Sequence, residues 1–210
     1  ATMLAGIAHD LKSPLTRLRL RFGLARTAED DRQRAEADLD ALERITAQFL
    51  LFAGGGDSEP PVMLPLDQWL AELTAALDPA DLVLDLEPIE ARIQPTALGR
   101  AVGNLIDNGL SHGRPPLRLV LRAELSPAGG APGYRLEVWD RGAGIAEAAW
   151  PRALQPFQRL DQARGGSGHC GLGLAIAARV AAAHGGGLSI QRAADGFAVV
   201  LRGRSLPEPV

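Results

Sequence analysis

Three glycines, an Asp-Ser-Glu step and two prolines stand in a row from Gly54 to Pro61, and no regular helix or strand propagates through such a stretch. The 210-residue chain is therefore expected to fold as two units, 1–55 and 62–210, joined by a linker at 56–61. The first unit is too short to hold a large core of its own, whereas the second is of ordinary domain size.

In the first unit the apolar positions Leu4, Ala8, Leu11, Leu15, Leu18, Phe22 and Ala25 recur at alternating spacings of four and three, the heptad pattern of a helix that packs on helices. Thr27 with Asp30 three residues later is a capping pattern for a second helix, carried on by Leu39, Leu42, Ile45, Phe49 and Phe52. Two helices with one apolar stripe each enclose no core, so the hairpin is expected to dimerise into a four-helix bundle, which makes the protein a homodimer. The second unit alternates periods. Helices are expected near Leu66 to Leu77, from about Gln94 to His112 and after Gly171. Strands are expected at Leu82 to Leu86, Leu117 to Glu124, Tyr134 to Asp140, Leu188 to Arg192 and Phe197 to Arg202. Hairpin-length and helical connections together imply a mixed sheet with helices on one face, an α/β sandwich, so the whole chain is α+β.

Charge and composition remove several classes of function. With 25 acidic against 22 basic residues and a net charge of −3, the chain lacks the basic excess of a duplex-binding protein, and no nucleic-acid partner is expected. Lys12 is the sole lysine and lies outside any Gly-Lys-Ser/Thr loop, so a nucleotide would have to bind without a P-loop. The one cysteine, Cys170, can form no internal disulfide, and with His169 it falls short of a zinc site. The longest apolar stretch, Gly171 to Ala183, is shorter than a membrane helix and contains Arg179. Because the first residues are already helical in pattern, the chain is expected to be part of a longer protein, with any membrane anchor upstream.

Four stretches carry chemistry. Arg100, Asn104, Asn108 and His112 recur every four residues and form one polar stripe on a helix whose buried side is Leu98, Val102, Leu105 and Ile106. Two neutral asparagines in such a stripe suit a hard cation shared with phosphate oxygens. The strand ending at Asp140 runs into Arg141-Gly142-Ala143-Gly144-Ile145, which sets a carboxylate beside glycines that let backbone approach a flat ligand. Such a carboxylate accepts a hydrogen bond from the exocyclic amine of adenine; guanine would leave it unpaired, at about 1–3 kcal/mol. The stretch Gly165 to Leu174 leads a glycine-rich loop into an apolar helix, a cradle for phosphate at a helix start. Finally, His9-Asp10-Leu11-Lys12-Ser13-Pro14-Leu15 places a histidine just outside the heptad seam, Ser13 one turn later, and a helix-bending proline beside them.

Together these stretches resemble the catalytic core of a sensor histidine kinase. His9 to Arg17 is similar to the family's H-box, Asn104 to Asn108 to its N-box, Asp140 to Ile145 to the G1 box, Gln155 to Arg159 to the F-box, and Gly171 to Leu174 to the G2 box. The H-box and the stretch Gln155 to Arg164 look most like the EnvZ-type osmosensor kinases. The resemblance implies a dimerisation and phosphotransfer hairpin followed by a Bergerat-type ATP-binding domain, acting as an ATP-dependent protein-histidine kinase. His9 would be the phosphoacceptor and Asp10 the carboxylate that orients it and takes its proton. Asn104 and Asn108 would hold Mg²⁺ on ATP, Asp140 would read the adenine amine, and His112 would stack near the base. Gly142, Gly144 and Ile145 would line the base site. Phe157, Arg159 and Gly168 would belong to the ATP lid, with Arg159 near the γ-phosphate and Gly171, Leu172 and Gly173 at the phosphates. The partner would be an OmpR-like response regulator with a phosphorylatable aspartate. Ser13, four residues after the histidine, would place water for dephosphorylating that regulator. The location would be the bacterial cytoplasm, tethered to the inner membrane by the upstream segment.

Two departures mark the chain. Ser13 stands where threonine or asparagine is common, and His169-Cys170 precedes Gly171-Leu-Gly where the family usually has Gly-x. Two other readings use the same residues: an ATP-gated conformational module of the wider gyrase and chaperone superfamily with a structural His9, and a pseudo-kinase scaffold that binds a regulator without using ATP.

Overall fold

A computed structural model describes residues 59–124, 133–158, 171–194 and 196–206. The hairpin and the dimer expected of residues 1–55 lie outside the described residues.

The chain enters through a short strand, β1 (Val62–Pro65), and helix α1 (Leu66–Thr74), followed by strands β2 (Leu82–Leu86) and β3 (Glu90–Ile93) and the long helix α2 (Pro95–His112). Strands β4 (Leu117–Glu124) and β5 (Gly133–Asp140) come next. A 3₁₀ turn at Glu147–Ala149 leads into a single helical turn, α3 (Trp150–Ala153), then α4 (Gly173–Ala183), β6 (Gly187–Ala193) and β7 (Gly196–Arg204). Five strands form one mixed sheet in the order β2-β4-β5-β7-β6, with β2 parallel to β4 and every other pair antiparallel. β1 and β3 form a separate antiparallel pair. The expected mixed sheet is therefore present, with the small β1–β3 ribbon added.

Alternation along the strands explains the layering. Leu117, Leu119 and Leu121 of β4, Tyr134, Leu136 and Val138 of β5, and Phe197, Val199 and Leu201 of β7 all enter one core. Leu98, Ala101, Val102, Leu105 and Ile106 of α2 and Ala177 and Ala181 of α4 close that core from the other side. α2 also packs along α4, so the two helices lie side by side on the sheet. On the opposite face Glu137 is buried, ion-paired with Arg135 at 2.7 Å and bonded by the Trp139 indole.

α1 stops at Thr74 rather than continuing to Leu77. Its last turn tightens into i→i+3 bonds, Ala75 N–H to Glu72 and Leu77 N–H to Thr74, while the Thr74 hydroxyl bonds back to the Leu70 carbonyl at 2.8 Å. α2 starts with Pro95 in its first turn, where a missing N–H costs nothing. Gln94, its N-cap, makes no side-chain capping bond; the Glu59 carboxylate takes that place, accepting Thr96 N–H at 3.0 Å and the Thr96 hydroxyl at 2.7 Å. The start of α2 is also joined to the end of α4. The buried His184 accepts Gln94 N–H on Nε2 at 3.2 Å and places Nδ1 2.9 Å from the Val180 carbonyl. That pairing fixes a neutral tautomer, and burial pushes the imidazole pKa down from 6.5.

Candidate functional site

Helix α2 is the rail on which the site is built. Asn104 and Asn108 are half-buried one turn apart, with Arg100 and His112 exposed beyond them, and the predicted buried side Leu98, Val102, Leu105 and Ile106 is buried. At the end of α2, Gly113 presses against Asp140, the last residue of β5. A Cβ at that position would stand 2.4 Å from the Asp140 Cγ, so the contact requires glycine. Gly142 approaches from the other side, where a Cβ would stand 2.7 Å from Asp140 Oδ1. That oxygen accepts Gly142 N–H at 2.5 Å. Burial pushes the Asp140 carboxyl above its ordinary value, while N–H bonds from Gly142 and Arg114 pull it back. The carboxylate is thus held by backbone and hemmed in by two glycines.

Beyond it the loop continues through Gly144, whose φ of +64° and whose contact with Phe197, 2.2 Å from an added Cβ, both exclude a side chain. Ile145 is half-buried and packs on the core. Arg192 of β6 spans this loop, donating to the Ala143 carbonyl at 3.0 Å and the Ile145 carbonyl at 2.8 Å, with its guanidinium 5.2 Å over the Phe197 ring.

The other end of the site is the start of α4. Gly173, its first residue, faces Asn104, and a Cβ there would rest 3.6 Å from the Asn104 Cβ, Cγ and Oδ1. Leu172 is fully buried and supplies no side-chain cap, and the start of α4 adds the positive end of the helix dipole. Gly171 has φ +67° and an added Cβ would stand 2.7 Å from the Gln158 carbonyl oxygen; its own carbonyl accepts Phe157 N–H at 3.0 Å. Phe157, also at positive φ, packs on Leu172 and Ile176. The two flanks of the segment 159–170 therefore meet on the start of α4.

Of the residues singled out in the sequence, Asn104, Asn108, His112, Asp140, Gly142, Gly144 and Ile145 lie along α2 and the β5 loop, and Phe157, Gly171, Leu172 and Gly173 lie at the head of α4. His9, Asp10, Ser13, Arg159 and Gly168 lie outside the described residues. Sequence reasoning missed Gly113, Arg192 and Phe197. Gly113 has a sequence signal, a glycine just past a helix end, but its contact with Asp140 comes only from folding. Among the described residues no three His, Cys, Asp or Glu side chains cluster as metal ligands.

The helix-backed mixed sheet, with an aspartate at a strand end and glycines on both sides of it, is an α+β domain whose family is that of ATP-binding domains. The family described as histidine kinase-, DNA gyrase B-, and HSP90-like ATPase matches residues 93–204, and the chain belongs to that family. It is 35% identical to the sensor histidine kinase GtrS of Pseudomonas aeruginosa over 92% of this chain and 39% of that protein. It is 30% identical to the sensor protein RstB of Escherichia coli over 88% of this chain and 44% of that protein. The chain thus spans less than half the length of these relatives. The solved structure of the histidine kinase AdeS of Acinetobacter baumannii shares the fold, with TM-score 0.70 at 19% identity over 94% of this chain and 98% of that one. A mycobacterial sensor histidine kinase, MprB, aligns with TM-score 0.53 at 27% identity over 69% of this chain and 100% of that chain.

Proposed function

We propose that the chain is the catalytic core of a two-component sensor histidine kinase. It phosphorylates its own His9 from Mg-ATP and passes the phosphoryl group to an aspartate of an OmpR-like response regulator. Residues 1–55 form the dimerising hairpin with His9, 56–61 the linker, and 62–210 the ATP-binding domain. The observation that carries this reading is the spacing along α2. Gly113, against Asp140, lies nine positions after Asn104, against the head of α4, a separation of roughly 13 Å at helical rise. A nucleoside triphosphate laid along α2 reaches from one to the other.

Each residue then has a defined task. Asp140 accepts the adenine amine, held in place by the Gly142 N–H and closed in by Gly113. His112, at the same end of α2, stacks near the base. Gly142, Gly144 and Ile145 keep the loop low enough for the base to lie flat. The phosphates lie at the head of α4, where Gly173 leaves room beside Asn104 and backbone N–H groups face anions. Asn104 and Asn108 would hold Mg²⁺ through their amide oxygens, where it would supply neutralisation of the triphosphate charge. Arg159 and Gly168 belong to the ATP lid, with Arg159 near the γ-phosphate.

At His9 one neutral imidazole nitrogen attacks the γ-phosphorus while Asp10 holds the other nitrogen and takes its proton; the P–O bond to ADP breaks and ADP leaves. The hinge through the glycine run lets the ATP domain reach His9. Ser13 places the water that hydrolyses the regulator's acyl phosphate. An upstream segment anchors the cytoplasmic core to the inner membrane. Incubation of the protein and its His9→Gln variant with γ-labelled ATP and Mg²⁺ tests the reading. Acid-labile, alkali-stable label that requires His9 is the expected result; equal labelling of the variant would overturn it.

A further inference from the structure

We propose that Arg192 is a positioning residue for the adenine end of the site, and that the Asp140–Ile145 loop keeps its base-reading shape through it; this rests on the nucleotide reading above. Past the Asp140–Gly142 bond and the Arg141 N–H bond to the Arg114 carbonyl, the loop has few means of its own to hold its shape before Ile145 packs on the core. Gly142 and Gly144 have no side chains, Arg141 and Ala143 are exposed, and the backbone turns through positive φ at Gly144. Such a loop pays a high conformational cost to hold one shape.

Two groups from the far hairpin remove that freedom. Arg192 and Phe197 are direct partners across the β6–β7 register, so one hairpin delivers both to the same place. The Phe197 ring fills the space under Gly144, and the Arg192 guanidinium lies over that ring while its two NH groups bond the carbonyls on either side of Gly144, those of Ala143 and Ile145. A planar fork with fixed donor spacing suits two carbonyls one residue apart from the glycine between them. Asp140 lies three residues before Ala143 in the same loop, and the adjoining Gly196 backs onto the Asp140 carbonyl, where an added Cβ would stand 2.6 Å away. The β6–β7 hairpin therefore sets both ends of the base-reading segment. Arg192 acts on the base, not on the phosphates, because its bonds fall wholly on this loop.

The test uses the full chain with Arg192→Ala and Arg192→Lys. In the nucleotide-free protein, hydrogen exchange of the amides of residues 142–145 is expected to quicken in Arg192→Ala. Titration with ATP and with ADP is expected to show the same loss of affinity for both, about fivefold. Arg192→Lys, with a single donor head, is expected to recover part of both effects, which a general loss of folding would not produce. Unchanged exchange and unchanged affinities would overturn the proposal, as would a loss for ATP much larger than for ADP, which would place the effect at the phosphates. A wild-type protein that binds neither nucleotide would overturn the functional reading and the adenine role with it, while the exchange rates alone decide whether the clamp exists.

Discussion

Glu59→Ala removes the cap of the helix on which the whole site is mounted. The Glu59 carboxylate accepts Thr96 N–H at 3.1 and 3.0 Å on its two oxygens, the Thr96 hydroxyl at 2.7 Å and Ala97 N–H at 3.3 Å, while its main-chain carbonyl accepts the Gln94 side-chain amide at 2.8 Å. Truncation strips all four carboxylate bonds, made by three donors, and leaves the main-chain one. Loss of a side-chain cap costs about 0.5–2 kcal/mol, and loss of a negative charge beside the positive end of the dipole adds about 0.3–1 kcal/mol. Because the pair is partly exposed, we expect about 1–2 kcal/mol in total, a fall in melting temperature of roughly 3–6 °C for a domain of this size. Glu59→Gln keeps an acceptor but no charge and should lose about half as much. Urea and thermal unfolding of the three proteins give the comparison. A Glu59→Ala protein within about 0.3 kcal/mol of wild type would refute the reasoning, because Gln94 or water would then be capping α2 equally well.

Gly113→Ala should abolish adenine-nucleotide binding by displacing Asp140, since the new Cβ would sit 2.4 Å from its Cγ; calorimetric titration with ADP reads this directly. Asp140→Asn removes the charged acceptor and should weaken ADP by about tenfold to a hundredfold, measured in the same way. His184 contributes to pH dependence. Its folded pKa lies below 6.5, so its share of stability is complete above pH 6.5 and falls as pH drops from there towards the depressed value, where the unfolded chain takes up the proton first. His184→Gln should lower stability at pH 8 and flatten the decline below pH 6.5, seen as melting temperature against pH.

The five strands of the main sheet and the run of α2 were legible because alternation and 3.6-residue periodicity are strong in β4, β5, β7 and Pro95–His112. β1 and β3 were not, because each has four residues, and Pro65 and the exposed Val62 and Met63 give no clean alternation. The asparagine stripe, the strand-end aspartate and the glycine pairs could be read for their chemistry, since each depends on neighbours within one turn or loop. Glu59 could not: capping rules look only at the residues beside a helix start, whereas the acid that caps α2 arrives from 37 residues earlier. Arg192 has the same character, since its value lies in carbonyls 47 and 49 residues away that only the sheet brings near. Gly113 and Gly196 likewise matter through distant backbone and carboxylate atoms that press on them.

The central claim is that one nucleotide lies along α2 with its base at Asp140 and its phosphates at Asn104 and Gly173. Amide chemical-shift titration of the labelled protein with adenosine and with a non-hydrolysable ATP analogue plus Mg²⁺ tests it most directly. Adenosine is predicted to move the amides of Gly113, Gly142 and Gly144 alone, and the analogue to move these together with those of Asn104, Asn108 and Gly173. Shifts at Asn104 and Gly173 with adenosine alone, or none at Gly142 with either ligand, would contradict the account.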